Sequence, residues 1–194
     1  MRIATRVIAL AAVAAMFTHA VLAQDKPGYE YKVLATSMTH TMEMELNSAA
    51  DQGFRFKSAM GGETASGGNE VVVVMARRAG AKPRVSYKLL ATSRTSTMEK
   101  ELQAAAEQGF EYRAQTVFKS AFNGDEVVCI LERDKDAEAP RSAYRLLATT
   151  KTSTLQKELL QVGAAGYEVL GMTVGKTAFG GHELVAILRR VEER

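Results

Sequence analysis

The sequence predicts an α+β protein: three tandem β-α-β-β repeats, each a small antiparallel-type sheet with one helix on a face, packed into a compact pseudo-symmetric assembly. Three observations carry this. First, "YKVLATSMTHTMEMEL" from Tyr31 recurs as "YKLLATSRTSTMEKEL" from Tyr87 and as "YRLLATTKTSTLQKEL" from Tyr144. Second, aligning Gly53, Gly109 and Gly166 gives spacings of 56 and 57 residues, and the match runs the length of the unit. Leu46, Leu102 and Leu159 coincide, as do Glu70, Glu126 and Glu183, and Arg77, Arg133 and Arg190. Third, each copy holds three short apolar runs and one stretch of helical period. Repetition at this scale reports common origin and shared structural demands, not function. The units are placed at residues 28–79, 84–135 and 141–192.

Residues 1–23 read as a signal peptide. Arg2 and Arg6 give a basic start, no acid precedes Asp25, and Val7 to Phe17 is an apolar run too short to span a bilayer. Val21, Leu22 and Ala23 precede a cut after Ala23. The mature chain is expected in the periplasm or outside the cell, with no membrane span.

Each unit then opens with a strand, "YKVLA", "YKLLA" or "YRLLA". Val33 and Leu34 face opposite sides, so both faces need cover. A helix follows. Ser96 with Glu99 and Ser153 with Gln156 fit a capping box, with His40 and Glu43 as a weaker version. Met42, Leu46, Ala49 and Ala50, and Met98, Leu102, Ala105 and Ala106, form one apolar stripe at i, i+4, i+7 and i+8. Gly53, Gly109 and Gly166 stand where a left-handed residue ends a helix.

The second strand, "FRFKSAM" or "FEYRAQTVF", alternates apolar and polar residues. In the third copy "YEVLGMTV" fills both faces, which predicts that this copy is the most enclosed by its neighbours. The third strand, "EVVVVMARR", "EVVCILERD" or "ELVAILRRV", is the most apolar and belongs in the middle of its sheet. The predicted order is first, third, second strand, with the helix across one face. A unit of this size buries little surface alone. The copies, joined by the short linkers holding Pro83 and Pro140, are therefore expected to pack their open sheet faces or edges together. A homo-oligomer would provide the same cover.

The third copy carries a family likeness in Tyr144, Leu159, Leu160, Gly163, Gly166, Tyr167, Glu168 and the closing Arg189 and Arg190. These residues resemble the pattern of the small bacterial domain of unknown function 4177 family. Tyr167 stands where that family usually has tryptophan. The first two copies match more loosely, with Ala50 and Ala106 for the inner glycine and Phe54 and Phe110 as the aromatic. The resemblance implies the fold and brings no agreed catalytic residues.

Composition excludes several classes. The chain has 25 basic and 22 acidic residues, and removing Arg2 and Arg6 leaves 23 against 22. With no basic run of five, a nucleic-acid partner is not indicated. Cys129 is the single cysteine, so no internal disulfide forms, and its place in "EVVCILER" reads as a buried, inert thiol. "VGKT" around Lys176 has Leu170 where a phosphate loop needs its first glycine, and a strand follows it. "HELVA" lacks the second histidine of a zinc helix. No metal, no cofactor and no catalytic constellation is read from the sequence.

Three sets remain as candidate contacts. Phe122 and Phe179 stand at hairpin tips beside glycines, with Lys119 and Lys176 nearby, and suit a ligand or partner. Thr92, Ser93, Thr95, Ser96 and Thr97 suit an anion at a helix start, although turn and cap chemistry explains them as well. Glu45, Glu101 and Glu158 on the helices, with Lys32, Lys88 and Arg145 on the first strands, suit ion pairs at sheet–helix edges. The leading expectation is an exported, non-enzymatic binding or interaction protein whose partner is a protein or a small molecule. Two alternatives stand beside it. One is a small hydrolase or isomerase with a site between unlike copies, using His182, Asp125 or His40. The other is a self-assembling envelope protein.

Overall fold

The structure, a computed structural model, describes residues 28–65, 68–92, 95–120, 124–176 and 181–192. The signal-peptide reading falls on residues outside this set, as do Ser93, Phe122 and Phe179.

The first unit comprises β1 (Tyr29–Thr36), α1 (Thr39–Ala50), β2 (Arg55–Thr64) and β3 (Gly68–Arg78). The second comprises β4 (Val85–Thr92), α2 (Thr95–Glu107), β5 (Glu111–Ser120) and β6 (Gly124–Asp134). The third comprises β7 (Ser142–Thr149), α3 (Thr152–Ala164), β8 (Glu168–Lys176) and β9 (His182–Val191). Each forms a three-stranded antiparallel sheet in the order first, third, second strand, with the most apolar strand central as expected. The second strand of every unit carries a β-bulge at the same place, between Phe56 and Ser58, Tyr112 and Ala114, and Val169 and Gly171.

Strand alternation divides the central strand between two cores. Val71, Val73 and Met75 pack under Met42, Leu46, Ala49 and Ala50 of α1. In the second unit Val127, Cys129 and Leu131 do the same under Met98, Leu102 and Ala105. The alternate residues Val128 and Ile130 turn the other way and complete the core of the first unit, with Val85 and Tyr87. Ile187 and Tyr144 of the third unit likewise complete the core of the second. The third core contains residues of its own unit alone and is the smallest. The units therefore form a row. The helix side of each sheet receives the far side of the next sheet, and no comparable packing joins the described elements of the first and third units.

This order overturns the expectation that the third copy is the most enclosed. Val169, Met172 and Val174 are 47%, 50% and 49% exposed. Their equivalents Phe56, Ala59, Tyr112 and Val117 pack into the inter-unit cores. β8 is apolar on this face as its pattern implies, but among the described residues no element packs over it.

The helix ends divide the same way. Gly53, Gly109 and Gly166 have φ of 83°, 82° and 83°. Gly53 N donates to Ala50 O at 2.9 Å and Phe54 N to Ala49 O at 3.1 Å, the paired bonds of a Schellman cap. The recurring arginines close this turn: Arg77, Arg133 and Arg190 donate to the carbonyls of Gln52, Gln108 and Ala165. Their guanidinium groups lie over Phe54, Phe110 and Tyr167 at 4.5, 5.0 and 5.0 Å. In α1 and α3 the capping boxes do not form. The N-cap residues of α1 and α3 are Met38 and Lys151, without a side-chain cap, and His40 and Ser153 lie inside the first turn. Ser96 likewise falls within α2.

A Cβ at Gly53 would meet Ala81 O at 2.5 Å, whereas at Gly109 and Gly166 the nearest atoms are flexible arginine carbons at 3.4 Å. Alanine in the left-handed region costs about 1–2 kcal/mol at any of the three. Gly53→Ala is expected to cost more than Gly109→Ala or Gly166→Ala, because the linker backbone must also move. Urea unfolding of the three variants checks this ranking.

Candidate functional site

The chemistry-bearing side chains converge on the two seams between units. At the first seam, α1 clamps the outer edge of β4. Asn47 Oδ1 accepts from Tyr87 N at 2.9 Å, and Asn47 Nδ2 donates to Tyr87 O at 2.9 Å. One turn earlier, Glu43 Oε2 accepts from Leu89 N at 2.7 Å. The second seam repeats the device on β7. Gln103 Oε1 accepts from Tyr144 N at 3.0 Å, and Glu99 Oε2 accepts from Leu146 N at 2.8 Å. Side chains thus occupy backbone groups that a bare edge would offer to another strand.

A tyrosine locks each seam from the other side. Tyr87 Oη accepts from Phe56 N at 2.7 Å, beside the β2 bulge, and donates to Glu132 Oε2 at 2.7 Å. Tyr144 Oη accepts from Tyr112 N at 3.0 Å, beside the β5 bulge. Burial raises the pKa of both hydroxyls, and the Glu132 bond pushes Tyr87 further, well above the ordinary phenol range. Tyr87 Oη thus both accepts and donates, and Tyr144 Oη accepts, across the seams.

Charge completes the seams with exchanged signs. Arg55 of β2 pairs with buried Glu132 of β6, and Arg113 reaches the same carboxylate at 3.2 Å. At the second seam the equivalent positions hold Glu111 and Arg189, 3.3 Å apart. Burial alone would raise the Glu132 pKa. Hydrogen bonds from Tyr87 and Arg55, with the charge of Arg113, outweigh it and hold the carboxyl below its ordinary value.

Beside each clamp runs a solvent-open groove. Thr39, His40, Glu43 and Glu101 line the first; Thr95, Glu99, Arg145 and Glu158 line the second. Glu101 Oε2 and Glu158 Oε2 are buried and find no hydrogen-bond partner among the described residues. The expected ion pairs with the first-strand bases do not form in the first two units. Lys32 and Lys88 donate instead to Gln52 and Gln108. Among the described residues no cluster of three or more His, Cys, Asp or Glu side chains is placed to hold a metal. No helix among them is long and apolar enough to cross a membrane.

The remaining candidates are scattered. Lys119 is exposed near the end of β5, and Lys176 is the last residue of β8, paired in register with His182. His40 and His182 are both exposed. Thr92 ends β4, and Thr95 to Thr97 form the first turn of α2. Cys129 is fully buried, its Sγ 3.7 Å from Met98 Sδ, and burial with the nearby Glu101 charge pushes the thiol up to about 12. A thiol reagent at neutral pH is therefore expected to label Cys129 only as fast as the protein opens. Labelling at the rate of a free thiol would contradict this burial.

Sequence reasoning missed Asn47 and Gln103 and gave Glu43 and Glu99 the wrong partner. The available signal was an amide four residues after each of those glutamates, on the flank of the apolar stripe. Truncating Asn47 to alanine strands the Tyr87 amide and carbonyl, which is expected to cost about 1–3 kcal/mol. Ser48→Ala, on the exposed side of the same helix, serves as the near-neutral control in denaturant titration.

Comparison with known protein families, with curated proteins and with solved structures finds no match.

Proposed function

We propose that this chain is an exported, non-enzymatic interaction protein that works through docking surfaces at the ends of the row of units. The observation that carries this reading is a contrast between equivalent positions. Tyr31 is 66% exposed, whereas Tyr87 and Tyr144 are 3% and 5% exposed. Val33 is exposed in the same way on β1, and Leu160 is exposed on α3. Positions that form the seams between units are thus uncovered at both ends of the row. Contiguous exposed apolar surface of this kind marks contact sites.

The polar groups best suited to catalysis are engaged elsewhere. Glu43, Glu99, Glu132, Tyr87 and Tyr144 all hold backbone or ionic partners across the seams. His182 is exposed on β9, and His40 lines a groove whose counterpart at the second seam has no histidine. Phe122 and Phe179, which the sequence pattern assigns to hairpin tips, belong with Lys119 and Lys176 to the same proposal as secondary contacts. The likeness to the domain of unknown function 4177 family is part of it too, as an account of the unit's origin.

Hydroxyl-radical footprinting tests the reading. Tyr31, Leu160 and Met172 should be oxidised more slowly in the native exported fraction of the producing cell than in dilute purified protein. Equal rates in the two preparations would refute it.

A further inference from the structure

We infer that the partner of each end is the opposite end of a second copy of this chain, so that chains join head to tail through a repeat of their own internal seam. This rests on the interaction reading above and names its occupant. The head is the far side of the first sheet: Tyr31 and Val33 on β1, with Val72 and Val74 on β3. The equivalents of these last two, Val128 and Ile130, are fully buried in the first seam. The tail is the helix side of the third sheet, with Val169, Met172 and Val174 on β8 and Gln156 and Leu160 on α3.

The two surfaces match because the chain has already joined them twice. Tyr87 and Tyr144 take the bulge amides of Phe56 and Tyr112. Tyr31 is the third tyrosine of the set, and Val169 stands beside the third bulge. Glu43 and Glu99 take the amides of Leu89 and Leu146. Gln156 occupies their position in α3 and offers an amide oxygen to the amide of Val33 in the next copy. An interface built from two unlike surfaces is heterologous, and it continues into a ring or a filament rather than ending as a two-fold dimer.

Two substitutions make this third seam weaker than the internal ones. Leu160 replaces the clamp amide of Asn47 and Gln103 with apolar contact. Glu168 stands where Arg55 and Glu111 do, but the opposing first-unit position, equivalent to Glu132 and Arg189, is Ala76. The ion pair is therefore missing, while no like charges meet there. Assembly should be reversible and should depend on protein concentration.

The test uses the mature chain and two variants at exposed positions, Tyr31→Asp at the head and Met172→Asp at the tail. Sedimentation velocity of the unmodified chain should show a mass rising above the monomer with concentration. Each variant alone should stay monomeric at the highest concentration. An equimolar mixture should form a one-to-one pair and stop there, because each variant contributes its intact end. Three results would overturn the proposal: an unmodified chain monomeric throughout, a variant that still self-associates, or a mixture that stays monomeric. Thermal melts of the dilute variants should match the dilute parent, which separates loss of docking from loss of fold. If the parent is monomeric but footprinting still shows protection in the exported fraction, the interaction reading stands and the second copy is the wrong occupant. If both fail, neither stands.

Discussion

Replacing Tyr87 or Tyr144 by alanine is expected to cost about 3–5 kcal/mol, the range for removing a large buried aromatic side chain. The same change at Tyr31 should stay within about 0.5 kcal/mol in dilute solution, as exposed substitutions usually do. The three residues are equivalent in sequence, so local propensity cannot separate them. Only the preceding unit does. Tyr87 packs in the first core and bonds the bulge amide of Phe56, and Tyr144 repeats both contacts one unit on. Tyr31 has no described unit before it. Equilibrium unfolding in urea, with the three variants side by side, measures the difference. Equal losses at all three positions would mean that the tyrosine supports its own unit and not the seam.

The second large effect is expected at Glu132. Glu132→Ala removes the acceptor of the buried Tyr87 hydroxyl and leaves Arg55 and Arg113 without their shared carboxylate. Breaking a buried pair from one side typically costs about 3–5 kcal/mol. Arg55 is half exposed and can return to water, so about 2–3 kcal/mol is expected, the cost of the stranded hydroxyl included. The effect has a pH signature. The folded-state pKa of Glu132 lies below its ordinary value of 4.5, so the folded protein binds fewer protons here than the unfolded chain. Its contribution is therefore fully present above the ordinary carboxylate pKa and is lost as pH falls toward the depressed folded value. The stability gap between parent and Glu132→Ala should be constant near neutrality and narrow on acidification. A gap that widened with acid would contradict the assignment.

Much of this fold was legible in the sequence because its determinants are local. The strand patterns, the glycine that ends each helix and the apolar stripe of Met42, Leu46, Ala49 and Ala50 each act within a few residues. The need for cover on the second sheet face was legible too, from Val33 and Leu34 pointing opposite ways. The partners of polar side chains were not. Glu43 and Glu99 have the spacing of a capping box, yet each reaches a strand more than forty residues away. A contact of that span depends on how one unit sits on the next, which no periodicity encodes. The misreading of the third unit has the same origin. Val169, Met172 and Val174 announce a covered face, but sequence does not say whether the cover belongs to the same chain.

Backbone amide exchange is the most direct measurement of the seams. In dilute protein, Phe56 N and Tyr112 N each donate to a tyrosine of the following unit, while no tyrosine among the described residues takes Val169 N. The amides of Phe56 and Tyr112 should exchange slowly and lose protection when Tyr87 and Tyr144, respectively, are changed to phenylalanine. The amide of Val169 should exchange faster than both. Similar protection at all three sites, unchanged by those substitutions, would contradict the interlocked row of units.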